Sequence, residues 1–231
     1  MASRGRPSVA VLALLLGGCD IILGLDRNDT IGGDAAPPPP PLPCNARVID
    51  DSFDGPAVCP WGGPSEHRSS VTLASGQLRV APDPDEVSYG GCTQATVAAM
   101  GPAGIVVEIA SLLAAPSGYL VVHAYAVTAG EISASLNHSG GTLSAFDATT
   151  MVGYGTVEVA STVKQWWRIR PAVGERGLLA EYSLDGEHFE RVGLVTGSVP
   201  AQVKLDFGAG TFQPERDPGV ARFDRVAFCG P

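Results

Sequence analysis

Basic side chains are scarce in this chain of 231 residues. It has 15 Lys and Arg against 24 Asp and Glu, which gives a formal net charge of −9, and charged residues of both signs make up only 17%. Nucleic acids and anionic membranes are bound through basic surfaces. The sequence therefore excludes both as partners that are recognised by charge.

The chain also lacks an apolar run that could cross a bilayer. The longest unbroken run is Val9–Leu16, whereas a spanning helix needs about 20 such residues. Hydrophobic residues nevertheless make up 45% of the chain, which also contains 29 Gly and 19 Pro. This composition excludes wholesale disorder and indicates a folded core with many turns.

Residues 1–18 have the order of a cleaved secretory signal peptide. Arg4 and Arg6 form a basic start, Val9–Leu16 is the apolar centre, and two glycines precede Cys19. Basic, apolar and small residues in this order are typical of export signals. The order predicts that the protein leaves the cytosol.

The segment Leu16-Gly17-Gly18-Cys19 resembles the lipobox of bacterial lipoproteins, in which a Leu and two small residues precede a Cys. The resemblance implies that Cys19 is linked to diacylglycerol, becomes the first residue and is acylated further, for example with palmitate. Two or more acyl chains anchor a protein stably, whereas one chain binds only marginally. We expect a lipid anchor on the extracytoplasmic side of a membrane, in the periplasm or at the cell surface. An ordinary signal peptide with a Cys beside its cleavage site is the alternative.

Residues 19–43 are predicted to be a tether. The segment Pro37–Pro41, Leu42 and Pro43 favours polyproline II, a stiff and solvated spacer of about 3.1 Å per residue. A Pro-rich ligand for an SH3-type groove is the alternative, but no such partner is expected outside a bacterial cell. The folded domain is then residues 44–231.

This domain is predicted to be all-β, because short β-rich runs are separated by turn signals such as Gly140-Gly141 and Asp185-Gly186. Such spacing indicates an antiparallel β-sandwich or jelly roll. The predicted strands are Arg47–Phe53, Ser70–Val80, Thr93–Ala99, Gly104–Ile109, Gly118–Ala126, Glu131–Asn137, Thr142–Phe146, Thr156–Val159, Trp166–Arg170, Leu178–Ser183, Phe189–Val195, Gln202–Ala209 and Ala221–Cys229.

Four cysteines lie in the domain: Cys44, Cys59, Cys92 and Cys229. An even number in an exported protein indicates two disulfides, and three pairings are open to the sequence. We favour Cys44–Cys229 with Cys59–Cys92, since sandwich folds commonly bring the first and last strands together. A metal site is disfavoured because the chain has no Cys-x-x-Cys pair.

Three segments together resemble concanavalin A-like lectin/glucanase domains, which are laminin G-like jelly rolls. They are the opening Asp51-Ser52-Phe53-Asp54, the central Gln165–Arg170 with Leu178–Phe189, and the closing Ala221–Val226. Arg225 stands in the closing segment where Asn is common. The resemblance spans Val48 to Phe228 and implies the fold rather than a particular function.

Catalytic motifs are missing. The resemblance implies a compact Glu-x-Asp-x-x-Glu strand for a glucanase, and this chain has none: Glu108 and Glu158 stand alone, and the pair Asp83 and Asp85 lies in a turn. No Gly-x-Ser-x-Gly elbow occurs. His123 lies in an apolar strand and is predicted to be a satisfied core or edge histidine. We therefore expect a non-enzymatic protein with no catalytic residue.

Two tryptophans are the candidate ligand-binding residues, because sugars commonly stack on an exposed aromatic ring. Trp166 and Trp167 point to opposite faces of their strand, so one of them should be in the core. Trp166 and Trp61 are therefore the candidates, although Trp61 could equally pack over its neighbouring disulfide.

No metal or cofactor is predicted. A loop calcium ion is conceivable at Asp83, Asp85 and Glu86, or at Asp50, Asp51 and Asp54, but no EF-hand spacing supports either set.

Three functional hypotheses stay open. The first is a non-catalytic binding module at the cell envelope, with a glycan or an envelope protein as its partner. The second is a diverged glycoside hydrolase or lyase, and the third is a structural envelope component with no small-molecule ligand.

Overall fold

The computed structural model describes Cys44, residues 46–160 and residues 163–231. The predicted signal peptide, Cys19 and the rest of the predicted tether, residues 19–43, lie outside the described residues and stay predictions. No helix in the described part of the chain is long and apolar enough to span a membrane.

The described domain is built from β-strands in two antiparallel sheets. The strands are β1 (Ala46–Asp51), β2 (Gly62–His67), β3 (Ser69–Leu73), β4 (Leu78–Pro82), β5 (Ser88–Gln94), β6 (Ile105–Ser111), β7 (Gly118–Ala126), β8 (Ala134–Ser139), β9 (Thr142–Asp147), β10 (Gly153–Glu158), β11 (Gln165–Pro171), β12 (Gly177–Ser183), β13 (Glu190–Thr196), β14 (Val203–Thr211) and β15 (Ala221–Gly230).

One sheet has eight strands, with the order β13-β12-β11-β6-β15-β4-β3 and with β1 also paired to β15. The other has seven strands, in the order β10-β9-β8-β7-β14-β5-β2. The two sheets form a sandwich, which confirms the predicted all-β fold class.

Each sheet turns one face to a shared core because side chains alternate along a strand. In β11, Trp167 and Ile169 are fully buried, whereas the alternating positions Trp166 and Arg168 are half-buried on the other face. Phe207 from the seven-stranded sheet packs edge-on against Phe223 from the eight-stranded sheet, with ring centroids 5.0 Å apart. Aromatic contacts of this kind join the two sheets.

The hairpin of β8 and β9 is closed by a turn that requires glycine. Ser139 pairs with Thr142, and the two residues between them, Gly140 and Gly141, have φ angles of 58° and 82°. A two-residue turn with positive φ at both central positions suits the twist of the strands, and glycine adopts it without steric cost. The turn predicted from the Gly-Gly pair is confirmed.

Parts of the predicted strand pattern are wrong. The predicted strand Ser70–Val80 is a hairpin of β3 and β4, in which the backbone folds back between Ala74 and Gln77. The predicted strand Thr93–Ala99 ends at Gln94 in the structure. β2 was not predicted because Gly-Gly-Pro-Ser-Glu-His lacks β-branched residues; it lies at a sheet edge, where proline is tolerated.

The two ends of the domain meet at the pairing of β1 with β15. There Cys44 and Cys229 lie at disulfide distance, with Cα atoms 5.2 Å apart. Cys59 and Cys92 form a second such pair, with Cα atoms 5.9 Å apart and both side chains buried. Of the three pairings open to the sequence, the structure brings together the one that we favoured.

The double variant Cys44→Ser/Cys229→Ser should be strongly destabilised. The two residues are separated by 185 positions, and closing so long a loop removes entropy from the unfolded chain worth about 5 kcal/mol in the chain-entropy model. Urea titration of the wild type and the variant measures the loss in the free energy of unfolding. The wild type under reducing conditions is the control, and a loss of less than about 1 kcal/mol would contradict the prediction.

Candidate functional site

The outer face of the seven-stranded sheet carries a row of side chains that crosses five strands. Thr93 lies opposite Asp206, Asp206 opposite His123, His123 opposite Ser135, and Ser135 opposite Phe146. Residues directly opposite one another in antiparallel strands have Cβ atoms about 4.5–5.5 Å apart. We call these five residues the Asp206 row.

Hydroxyl groups hold Asp206 at the centre of the row. The Tyr89 hydroxyl donates to its Oδ2 at 2.8 Å, and the Thr93 hydroxyl donates to its Oδ1 at 2.5 Å. Burial and the nearby charge of Asp206 raise the pKa of Tyr89, so the phenol stays protonated and remains a donor. The same two causes raise the pKa of Tyr119 and of Tyr125. Both oxygens of this carboxylate are therefore already in use.

His123 and Ser135 do not complete a catalytic triad with Asp206. The Ser135 hydroxyl lies 2.6 Å from His123 Nδ1, but the Ser135 side chain is fully buried. A nucleophile has to reach its substrate, and the carboxylate has to orient the histidine. The carboxylate of Asp206 instead accepts from Tyr89 and Thr93. The row is thus a hydrogen-bonded sheet surface rather than a hydrolytic centre.

Beside the Asp206 row, the same face holds a cavity of about 450 Å³ over β8, β9 and β10. Neighbouring strands supply its side chains at matching positions, since Asn137 lies opposite Ser144 and Ser144 opposite Thr156. Its lining contains no Asp, Glu, Lys or Arg. We call it the hydroxyl cavity; its polar side chains are those of Asn137, Ser139, Thr142, Ser144 and Thr156, and its apolar ones include Phe146 and Met151.

Asn137, which lines the hydroxyl cavity, has an unused hydrogen-bond acceptor. Its Oδ1 is enclosed and has no partner among the described residues, and an amide oxygen left in that state costs about 1–3 kcal/mol. The surrounding hydroxyl groups can each donate and accept, and the half-buried Phe146 adds an aromatic surface. This set of groups suits a neutral molecule that carries many hydroxyl groups.

Trp166, a candidate from the sequence, lies on the other sheet. Its half-buried ring lies beneath Lys164, whose Nζ is 5.2 Å from the ring centroid. The loop at Gly186 covers it from the side, since a Cβ at that position would be 3.0 Å from the indole. Lys164 also bridges Glu108 and Asp224 at 2.5 and 2.8 Å. The open stacking platform that a sugar would need is therefore largely occupied by the protein's own side chains.

Trp61, the other candidate, contacts the core. Its indole N–H donates to Asp51 at 3.0 Å, and its ring stacks on Phe207 with centroids 6.0 Å apart. These contacts favour a structural role beside the Cys59–Cys92 pair. Neither tryptophan lines the hydroxyl cavity, so the structure does not bring the two sequence candidates together in one site.

Two of the six acidic side chains that were conceivable calcium ligands are engaged in ion pairs. Asp50 pairs with Arg47 and Arg225, and Glu86 pairs with Arg68. Within the described residues, no group of three or more His, Cys, Asp or Glu side chains is arranged to hold a metal ion.

Burial favours the neutral form of two histidines of the seven-stranded sheet. Burial lowers the pKa of His123 and that of His138, and a ring nitrogen of His138 lies 3.2 Å from the carbonyl oxygen of Val159. His188 behaves in the opposite way, because hydrogen bonding to Asp185 at 2.7 Å raises the pKa of His188 at the surface.

Sequence reasoning missed both the Asp206 row and the hydroxyl cavity. A signal was present in β7, where Tyr119, His123 and Tyr125 are separated by even numbers of residues and therefore share a face. His123 is satisfied by Ser135, as predicted, but it lies on the outer face and not in the core.

No family model matches this sequence, and no curated protein matches it. Solved structures do match. A seed lectin of Lotus tetragonolobus has 9% identity and a TM-score of 0.57, over 79% of this chain and 97% of that one. The lectin UEA-II, complexed with galactose, has 11% identity and a TM-score of 0.54, over 80% and 99%.

A prokaryotic β-1,3-1,4-glucanase from a mouse hindgut metagenome also matches, with 12% identity and a TM-score of 0.51, over 79% of this chain and 99% of that one. At these identities the likeness establishes the fold alone. The fold is thus that of concanavalin A-like lectins and glucanases, and it is shared by sugar-binding proteins and by enzymes.

The pKa shifts of the described histidines predict that the free energy of unfolding falls as the pH is lowered. A histidine with a lowered folded-state pKa stabilises the fold above its unfolded pKa of about 6.5 and loses that contribution as the pH falls below it. His123 and His138 act in this direction, whereas His188 contributes most below that pH. We expect the free energy of unfolding to decrease between pH 7.5 and pH 5.

The variant His138→Gln should flatten this pH dependence, and the surface variant His188→Gln should steepen it slightly. Urea titrations at several pH values measure both slopes. Equal slopes in the wild type and in His138→Gln would contradict the prediction.

Proposed function

We propose that this protein is a lipid-anchored, extracytoplasmic module that binds neutral glycans without cleaving them. The observation that carries the proposal is the hydroxyl cavity on the outer face of the seven-stranded sheet. Its volume of about 450 Å³ falls within the range of about 300–1,000 Å³ that is usual for ligand sites. The two similar lectin structures, one of them solved with galactose, support the same class of ligand.

The chemistry of the cavity favours an uncharged sugar. Sugar hydroxyl groups donate and accept hydrogen bonds, so they can pair with the hydroxyl groups and the Asn137 amide of the lining. A sugar ring also has an apolar face that packs on an aromatic side chain such as Phe146. No charged side chain lines the cavity, so a charged ligand would find no counterion there.

The same lining argues for binding without hydrolysis. Retaining glycosidases need two carboxyl groups about 5–5.5 Å apart, and inverting ones need about 6.5–9.5 Å. The hydroxyl cavity presents none. Glu108 and Asp224 do converge, but on Lys164 at the other sheet. A diverged hydrolase is therefore the weaker candidate, and release of reducing sugar from a bound glycan would favour it.

The proposed lipid anchor has separate support. The sequence around Cys19 has the order of a lipoprotein signal, and the domain holds two cysteine pairs at disulfide distance. Disulfides persist in oxidising compartments outside the cytosol. Export and anchoring together would place the domain at the envelope, where glycans are abundant.

Glycan-array binding of the wild type, Asn137→Ala and Phe146→Ala tests the site. Either substitution should weaken binding about tenfold, which corresponds to the loss of about 1.4 kcal/mol of contacts. Neither substitution should lower the melting temperature much, since both side chains lie half-buried on the outer face and not in the core. Lys204→Gln, on the same sheet but outside the cavity, is the matched control. Loss of binding in Trp166→Ala, with Asn137→Ala unaffected, would move the site to the other sheet and contradict the proposal.

The variant Cys19→Ala should release the protein from the membrane fraction of its native cell. Without the thiol no thioether to diacylglycerol can form, and a single weak contact does not hold a protein to a bilayer. Intact mass of the wild type should include the acyl chains. An unmodified wild type, or equal membrane retention of both proteins, would contradict the lipid anchor.

A further inference from the structure

Two arginines lie directly opposite one another on the outer face of the eight-stranded sheet. Arg79 of β4 pairs with Arg222 of β15. Thr72 lies opposite Arg79 on the next strand, and Ser111 lies opposite Arg222 on the strand beyond it. The neighbours of both arginines along their strands are buried in the core, so the arginines belong to the outer face. The four residues form one continuous row, which we call the arginine row.

The two guanidinium groups are uncompensated. Within the described residues neither Arg79 nor Arg222 makes a salt bridge, whereas Arg47, Arg168 and Arg225 all do. Like charges directly opposite in a sheet destabilise it. The chain has an excess of acidic residues, so a shortage of carboxylates does not explain why this pair lacks one.

The enclosed Nε of Arg79 adds a second observation. It has no hydrogen-bond partner among the described residues, and a buried donor linked to a charge is costly in that state. An oxyanion between the two side chains would accept from their terminal N–H groups and neutralise the repulsion. The planar guanidinium presents paired donors that match the geometry of phosphate and carboxylate groups.

We propose that the arginine row binds an oxyanion, which is a phosphate, sulfate or carboxylate group on a soluble molecule or a glycan chain. Arg79 and Arg222 supply the charge. Thr72 and Ser111 flank the arginine pair on the two neighbouring strands.

A single anionic group fits this face better than a membrane surface does. Glu108 and Asp224 lie on the same outer face, and a single cation, Lys164, offsets their two negative charges. Together with the net charge of −9, they would repel an extended anionic surface. One small oxyanion between the two arginines contacts too little of this surface to meet the same repulsion. The arginine row is on a different sheet from the hydroxyl cavity, so this proposal does not rest on the proposed function.

Isothermal titration calorimetry of the full chain with sodium sulfate and with sodium phosphate tests the proposal. Sodium chloride at equal ionic strength is the reference. We expect saturable binding of at least one oxyanion, weakened at least tenfold by Arg222→Gln and by Arg79→Gln. The matched control is Arg176→Gln, another exposed arginine that makes no salt bridge in the described residues; it should change the affinity by less than twofold.

The melting temperature of each variant shows whether a loss of binding comes from poor folding. The Arg222 side chain is exposed, so Arg222→Gln should fold, and without oxyanions its melting temperature should equal or exceed that of the wild type. Absence of oxyanion binding, or equal weakening by Arg176→Gln, would overturn the proposal. Binding of anionic vesicles that requires both arginines, without binding of free oxyanions, would also overturn it in favour of a membrane surface.

Discussion

The last strand of the chain, β15, is the constraint on which the rest of the structure depends. It pairs with β4 and β6, and also with β1 at the start of the domain. Its buried side chains Phe223, Val226 and Phe228 fill the core between the two sheets. β1 and β15 are the first and last strands of the domain in sequence, so their pairing closes a loop of nearly the whole domain. The loss of chain entropy that accompanies this closure has to be offset by burial of the core. The Cys44–Cys229 pair stands at the end of the same ladder and fixes this closure.

The two outer faces differ in chemistry although they belong to one fold. On the eight-stranded sheet, the buried carboxylate of Glu181 is held by Arg168 and Arg170 at 2.6 and 2.9 Å. A buried charge of this kind is tolerated only when its partners are complete. On the seven-stranded sheet, Glu158, Lys204 and Asp206 carry charge on the outer face, but the lining of the hydroxyl cavity is uncharged. The first face therefore holds most of its charges in internal pairs, whereas the second contains a cavity lined by neutral groups.

The fold was predictable from the sequence because alternation and turn chemistry are local. The strand at Gly118–Ala126 was predicted with the bounds that the structure has, and Trp166 and Trp167 fall on opposite faces as expected. The edge strand β2 was not predictable, since its pairing with β5 and not its own composition makes it a strand. The hydroxyl cavity was equally hidden. Its residues come from three strands, and their register is set by turns such as Gly140-Gly141, so no single segment carries the pattern.

Lectins and glucanases share this fold, so the side chains on the outer face of a sheet decide whether such a domain binds a glycan or cleaves it. Hydrolysis of a glycosidic bond needs a carboxyl group that can give up its proton and a second one placed across the bond. Glu158 is an exposed carboxylate beside the hydroxyl cavity, since it lies opposite Thr142. A second carboxylate on this face, Asp206, lies three strands from Phe146, and both of its oxygens accept hydrogen bonds from Tyr89 and Thr93. To use it as an acid or a nucleophile, the protein would have to break these bonds and leave two hydroxyl groups unsatisfied. A sugar bound as proposed would require no such change, because it would pair with the hydroxyl groups of the cavity and leave the Asp206 row intact.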